Sequence, residues 1–349
     1  MKNKDLRTAH RNKKDEFYTQ LSDIEKELKH YKKYFKNKTV LCNCDDPRVS
    51  NFFYYFAHNF EHLGLKKLIT VCYKNDQPDL FSKSVSDKAI TLEYEGDKNG
   101  NKIPDPEEIG IKTLESDGDF RSNECIEILK QADIVVTNPP FSLFREYVDQ
   151  LIKFNKDFLI IGNINAITYK NIFKFFKNNK LWFGPSIKSG DREFGVPKDY
   201  ELTTTGSRVD EKGNKFINVK GVRWFTNIDY KERYEDLILY KKYIPEEFPK
   251  YENFDAINID KTKDIPVDYD GLMGVPITFV DKYNPNQFDI IGIGISSSGL
   301  EIGIEPYKPE HKKYRKEIQK RGAVDGDLYF YIDGEVVVPY RRIIIKRKN

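Results

Sequence analysis

Up to about residue 165, short runs of β-branched and aliphatic residues alternate with helix-like stretches. This alternation restricts the fold more than any other property of the chain. "KTVLCNC", "KKLITVCY", "GIKTLE", "DIVVT" and "KDFLIIGNI" read as strands. "SNFFYYFAHNFEHLG", "RSNECIEILKQ" and "FREYVDQLIKF" read as helices, the first with Ser50 as N-cap and Gly64 as C-cap. An earlier helix carries Leu21, Ile24, Leu28, Tyr31 and Phe35 at helical spacing, with Ser22 and Glu25 as a capping box. "KAITLEY" and "NKIPD", around "EGDKNG", read as an inserted hairpin. The spacing is that of βαβ units. It predicts an α/β fold with a mostly parallel sheet, helices on both faces, and a ligand at the carboxyl ends of the strands. From "KLWFGPS" onward, short β-like pieces lie between Gly, Pro and Asn clusters, and "DYKERYEDL" reads as a short helix. That part is read as mixed and β-rich.

Two turns at strand ends stand out, "DDPR" and "NPPF". In the second, Ile134–Val136 stop at Asn138-Pro139-Pro140-Phe141. The prolines have no N–H for a ladder, and Asn138 is biased to an extended conformation. The turn is stiff, and Asn138 Oδ1 and the Pro139 carbonyl could face one cleft. Two such acceptors suit the two hydrogens of an exocyclic amine, with Phe141 offering a face to a planar base. An aromatic amine is a poor nucleophile because its lone pair is delocalised. Fixed acceptors favour a pyramidal nitrogen and stabilise the charge that develops as it attacks a methyl group.

Composition bears on what else the chain can be. Hydrophobic residues make 39%, so a globular core is expected, and the net charge of +3 excludes a purely electrostatic nucleic-acid binder. Basic residues cluster at both ends, in Lys2, Lys4, Arg7, Arg11, Lys13 and Lys14 and in "RRIIIKRKN". Cys42, Cys44, Cys72 and Cys125 show no zinc spacing and are expected as reduced thiols. The five histidines are scattered, so no metal is expected. No signal-like apolar segment or 18-residue apolar run occurs, which predicts a soluble cytoplasmic protein.

"TNPPF" resembles the catalytic motif of S-adenosylmethionine-dependent amino-methyltransferases acting on adenine N6. "SDGDF", one helix upstream, resembles their cofactor-adenine motif, and "DEFYT" their N-terminal motif. From about Asp15 to the C-terminus the chain is similar to the EcoRI-type adenine-specific DNA methyltransferase family, as "CNCDDPRVSNFFYYF", "GVRWFTNI" and "GLMGVPITFVDKYNPNQFDIIGI" show. The resemblance implies a Rossmann-like methyltransferase core with a mostly parallel sheet, over residues 1–180. It implies a β-rich target-recognition region over residues 181–349, with room for closing strands of the core within residues 181–230. It implies that S-adenosylmethionine is held by Asp119 and Phe120 at its adenine and by Phe17, Tyr18 and Thr19 at its methionine end. Asp45, Asp46 and Pro47 would line the turn after the first core strand, which departs from common methyltransferases in lacking glycine. No residue is assigned to the cofactor ribose.

The implied partner is double-stranded DNA, from which the enzyme, acting as a monomer, would flip one adenine in a specific sequence, as in restriction-modification. Arg192 and Arg223 are the candidate DNA contacts, in loop-like settings that mix Arg, Gly and aromatic residues. Two alternatives stay open. One is the same turn acting on RNA adenine or protein glutamine. The other is a non-catalytic nucleic-acid-binding module, suggested by the glycine-free turn.

Overall fold

The computed structural model describes residues 17–44, 50–72, 89–101, 104–105, 108–197, 200–202 and 206–348. These fall into two compact units. The first comprises residues 1–163 and 183–230, the second residues 164–182 and 231–349.

In the first unit, β1 (Tyr18–Thr19) leads into α1 (Leu21–Leu28) and α2 (Lys32–Phe35). The capping box expected at Ser22 does not form. Asp23 and Ile24 already donate to the Gln20 carbonyl at 3.0 and 3.2 Å, so Ser22 lies inside the first turn. Then come β2 (Thr39–Asn43), α3 (Asn51–His58), α4 (Phe60–Leu63), β3 (Lys67–Cys72), β4 (Ile90–Tyr94) and β5 (Ile109–Thr113). Ser50 Oγ does cap α3, accepting from the Phe52 N–H at 3.2 Å. Gly64 ends α4 with φ of 63°, a left-handed conformation that glycine adopts without steric cost. The rest of the core is α5 (Asn123–Gln131), β6 (Ile134–Thr137), α6 (Phe144–Lys153), β7 (Asp157–Asn163), β8 (Trp182–Phe183) and β12 (Val222–Thr226). Between these last two lie β9 (Asp191–Val196), β10 (Arg208–Val209) and β11 (Lys215–Lys220).

The main sheet has the order β5-β4-β3-β2-β6-β7-β12-β8. Its centre is parallel, in the pairings β3–β2, β2–β6 and β6–β7. Outside that centre, β3–β4, β4–β5 and β7–β12 are antiparallel. The sheet is therefore mixed, not mostly parallel. One reading misled. The hairpin is made by β4 and β5, so "GIKTLE" is its second arm, at the edge of the main sheet, while "NKIPD" lies partly outside the described residues. "GVRWFTNI" falls within residues 181–230, where closing strands of the core are allowed for, and lies beside β7 within the core sheet.

Every residue of β2, β6 and β12 is buried, as strands covered on both faces require. Val40, Val136, Ile161 and Trp224 pack with Ile24, Leu28, Phe52 and Phe56 of α1 and α3. On the opposite face Phe144 of α6 meets Phe225 edge-on, with ring centroids 4.8 Å apart. A Cβ at Gly162 would lie 2.5 Å from the Phe144 ring, so glycine is what lets α6 sit this close to β7. A smaller sheet, β1-β9-β11-β10, completes the unit.

The second unit contains α7 (Lys170–Lys177), β13 (Ala256–Asn258), β14 (Leu272–Pro276), β15 (Phe288–Gly294), α8 (Ser296–Glu301), α9 (Pro309–Glu317), β16 (Phe330–Ile332), β17 (Glu335–Val337) and β18 (Arg342–Arg347). Its sheet runs β13-β14-β18-β15, and β16 pairs with β17. "DYKERYEDL" gives only a 3-10 turn at Lys231–Tyr234.

Candidate active site

The carboxyl ends of β2 and β6 are tied together. Thr137, the last residue of β6, donates its hydroxyl to the carbonyl of Asn43, the last residue of β2. The Asn43 side-chain oxygen accepts from the Tyr147 hydroxyl on α6. Tyr147 is fully buried, and burial pushes its phenol far above its ordinary range, so it is a neutral donor.

Asn138 follows directly and is 5% exposed. Its Nδ2 donates to the Phe17 carbonyl at 2.5 Å. Its Oδ1 is buried and has no hydrogen-bond partner among the described residues. Leaving a buried acceptor unpaired costs about 1–3 kcal/mol, so an acceptor in this state at a strand's carboxyl end is a candidate to receive a ligand's donor. Pro139 is buried, and the Pro140 carbonyl accepts from the Leu143 N–H at 3.0 Å, opening the 3-10 turn Phe141–Leu143. Phe141 is half-buried and edge-on to Phe17, 5.7 Å between centroids.

Phe17, Tyr18 and Thr19 reach this turn as an edge segment, with Tyr18 paired to Gly195 and Thr19 to Phe194 of β9. Phe17 is buried against Phe194 and Tyr200 as well. The Thr19 carbonyl accepts from Asn51 Nδ2 at 2.7 Å, while its buried Oγ1 has no partner among the described residues. Two unpaired buried oxygens, on Thr19 and Asn138, therefore sit on segments joined through Phe17.

The "SDGDF" segment lies before α5. Phe120 is 7% exposed and meets Tyr147 edge-on at 5.0 Å, and its carbonyl accepts from Gln150 Nε2 at 2.9 Å. Asp119 is engaged. Arg121 gives it three hydrogen bonds, the shortest at 2.6 Å from Nη2, and these hold its carboxyl below the usual range. Arg121 also reaches Glu146 at 3.1 Å. The first loop motif, Asp45, Asp46 and Pro47, lies outside the described residues, as does the start of "DEFYT".

The structure thus brings Asn138, Phe141, Phe17 and Thr19 together, and connects Phe120 to the same strand ends through Tyr147 and Asn43. Sequence reasoning missed Tyr147, Asn43 and Asn51. Tyr147 lies at the spacing of the apolar stripe Phe144, Val148 and Leu151 and reads as core. Asn43 was the more legible signal, a polar residue closing an apolar strand. The two arginines sit elsewhere. Arg192 on β9 is half-buried, with Nη1 on the Asp191 carbonyl and Nε 3.9 Å from Asp23. Arg223 is 3% exposed within β12 and donates to the carbonyls of Val222 and Lys188, each at 2.8 Å. Among the described residues no group of three His, Cys, Asp or Glu side chains could hold a metal, and no helix is long and apolar enough to cross a membrane.

In an α/β sheet with a parallel centre, ligands lie at the carboxyl ends of the strands, and the buried, unpaired Asn138 Oδ1 sits at one of them, the arrangement of a ligand-binding α/β protein. The chain matches the family model described as adenine-specific methyltransferase EcoRI over residues 5–348. It is 48% identical to the type II methyltransferase M.EcoRI of Escherichia coli, over 99% of this chain and 97% of that protein. It is 42% identical to M.MgeORF184P of Mycoplasma genitalium and 38% to M.MpnI of Mycoplasma pneumoniae. Each of these alignments covers 81% of this chain, and they cover 84% and 83% of those proteins. No solved structure matches. The chain belongs to the EcoRI family of adenine-specific methyltransferases. The expectation of an adenine-specific DNA methyltransferase holds, and with it that of an enzyme.

Proposed function

We propose that the chain transfers a methyl group from S-adenosylmethionine to N6 of an adenine flipped out of duplex DNA. The observation that carries this reading is Asn138 Oδ1, buried and without a partner among the described residues at the end of β6, while the amide nitrogen is held by Phe17. The flipped base's amine gives one hydrogen to Asn138 Oδ1 and the other to the Pro139 carbonyl. Both bonds strengthen as the nitrogen gains positive charge, so they favour the transition state over the ground state. Phe141 lies against the base, and Pro140 stiffens the turn.

S-adenosylmethionine, when bound, supplies a methyl group activated by its sulfonium centre. The residues present suit it. Phe120 gives an apolar wall for an adenine ring, and Asp119 an acceptor once Arg121 yields part of its carboxylate. Thr19 Oγ1 is an unused polar atom for the methionine end, beside Phe17 and Tyr18. Asp45, Asp46 and Pro47 would take the turn after β2. Residues 1–180 supply most of this machinery, and residues 181–349 recognise the target. Arg192, with its side chain partly exposed, is the better of the two candidate DNA contacts. The bonds of Arg223 favour a structural role, anchoring the loop at Lys188 to β12.

The test is to incubate purified protein with S-adenosylmethionine and plasmid DNA and map the product. N6-methyladenine in one sequence context is expected. No methyl incorporation, or methyl groups on RNA alone, would overturn the reading.

A further inference from the structure

Phe17 and Asn138 are 121 positions apart, yet the Phe17 carbonyl lies 2.5 Å from Asn138 Nδ2. A carbonyl oxygen only accepts, so this contact decides which end of the amide faces which way. The nitrogen must meet Phe17 and the oxygen is left for the substrate. β1 in turn is held by β9 through the Tyr18–Gly195 and Thr19–Phe194 pairs, and by Asn51 through the Thr19 carbonyl. We infer that the Phe17 carbonyl is a positioning group that orients the Asn138 amide, and that it makes a hydrogen-bond donor obligatory at that side chain. This rests on the proposed function and goes beyond it. It says that the site needs an amide, not merely an acceptor.

The consequence is a defined response to Asn138→Asp. An ionised aspartate is isosteric with the amide but has no donor. It would place a charged oxygen where Nδ2 now stands, against a carbonyl and nearly out of water. Repulsion and desolvation both disfavour that state, so the introduced carboxyl titrates well above its ordinary value of about 4. Its neutral form is a close mimic of asparagine. The hydroxyl donates to Phe17, at a distance ordinary for O–H···O bonds, and the other oxygen accepts the substrate amine. A group whose folded-state pKa is raised contributes its stability below the unfolded value and loses it as pH rises through the folded one. Activity and stability of the variant should both decline on that limb. The elements around it carry other titratable side chains: Tyr18 on β1, Cys42 on β2 and Cys44 just after it, His58 on α3, Arg145, Glu146, Tyr147, Asp149 and Lys153 on α6, and Asp191, Arg192 and Glu193 on β9. All of these are shared with wild type, so a limb seen in the variant and absent from the wild-type profile belongs to the introduced carboxyl.

The experiment measures single-turnover methylation and thermal melting of wild type and Asn138→Asp with S-adenosylmethionine and a DNA duplex, from about pH 5.5 to about pH 8.5. Expected is a variant at least about tenfold slower than wild type at the alkaline end. It should recover toward the wild-type rate as pH falls, and its melting temperature should approach wild type in the same direction. A variant with wild-type rate and profile overturns the inference. So does one that is inactive or unfolded at every pH. If wild type itself does not methylate adenine, it is the proposed function that fails.

Discussion

Asp119, the candidate acceptor for the cofactor's adenine, is already engaged within the protein. Both its oxygens are taken by Arg121, so cofactor binding at this position would exchange one hydrogen bond for another. Asp119→Ala is expected to weaken S-adenosylmethionine affinity by about tenfold to a hundredfold, the equivalent of about 1.5–3 kcal/mol for a bond to a charged group. Calorimetry on the folded variant checks it, and unchanged affinity would remove Asp119 from the cofactor site. The hydrogen bonds from Arg121 also set a pH dependence. A carboxyl held below its ordinary pKa contributes stability above its unfolded value of about 4 and loses that contribution as pH falls through the folded one. Because Asp119 is partly exposed, solvent screens the pair, and the effect on stability is expected to be small.

At the level of elements, Ser50 is the clearest case of local chemistry fixing structure. Its hydroxyl satisfies the first free N–H groups of α3, the helix whose Phe52 and Phe56 pack on the sheet. Ser50→Ala should cost about 1 kcal/mol, read as a shift in the denaturation midpoint. This cap, the Gly64 stop and the four central parallel strands were legible in the sequence because each rests on local residue chemistry. Strand direction was not. Ile90–Tyr94 reads as one arm of a hairpin, but the partner placed beside it was "NKIPD", so its antiparallel pairings with β5 and β3 were missed. α9 went unread for a different reason. In "PEHKKYRKE" the buried side chains are His311 and Arg315, so the helix carries no apolar stripe for periodicity to find. "KNIFKFFK" does have one, in Ile172, Phe173 and Phe176, and was passed over beside the stronger strand signals that precede it. The Asn-Pro-Pro-Phe turn was legible from its residue types. Its connection to Phe17 was not, because no local pattern announces a bond spanning 121 positions.

For the molecule as a whole, the order of the chain and the order of the sheet differ. The strand beside β7 is β12, at Val222–Thr226, and the segment carrying Phe17 is held by β9, at Asp191–Val196. A fragment ending near Asn179 therefore lacks both. It should expose the buried β7 edge and fail to unfold cooperatively, which a urea titration followed by circular dichroism would show. A fragment spanning about residues 1–230 restores those strands but lacks the rest of the second unit. Recovered cofactor binding without sequence-selective methylation is the result expected from it.

The central claim is that Asn138 acts on the reacting amine and not on binding. The most direct measurement compares wild type and Asn138→Ala in single-turnover methylation, after titrations establish that each binds S-adenosylmethionine and the mapped duplex. Expected is binding within a few-fold of wild type and a rate lower by at least about a hundredfold, the range for losing an oriented acceptor in the transition state. An Asn138→Ala protein that binds both ligands and methylates at the wild-type rate would contradict it.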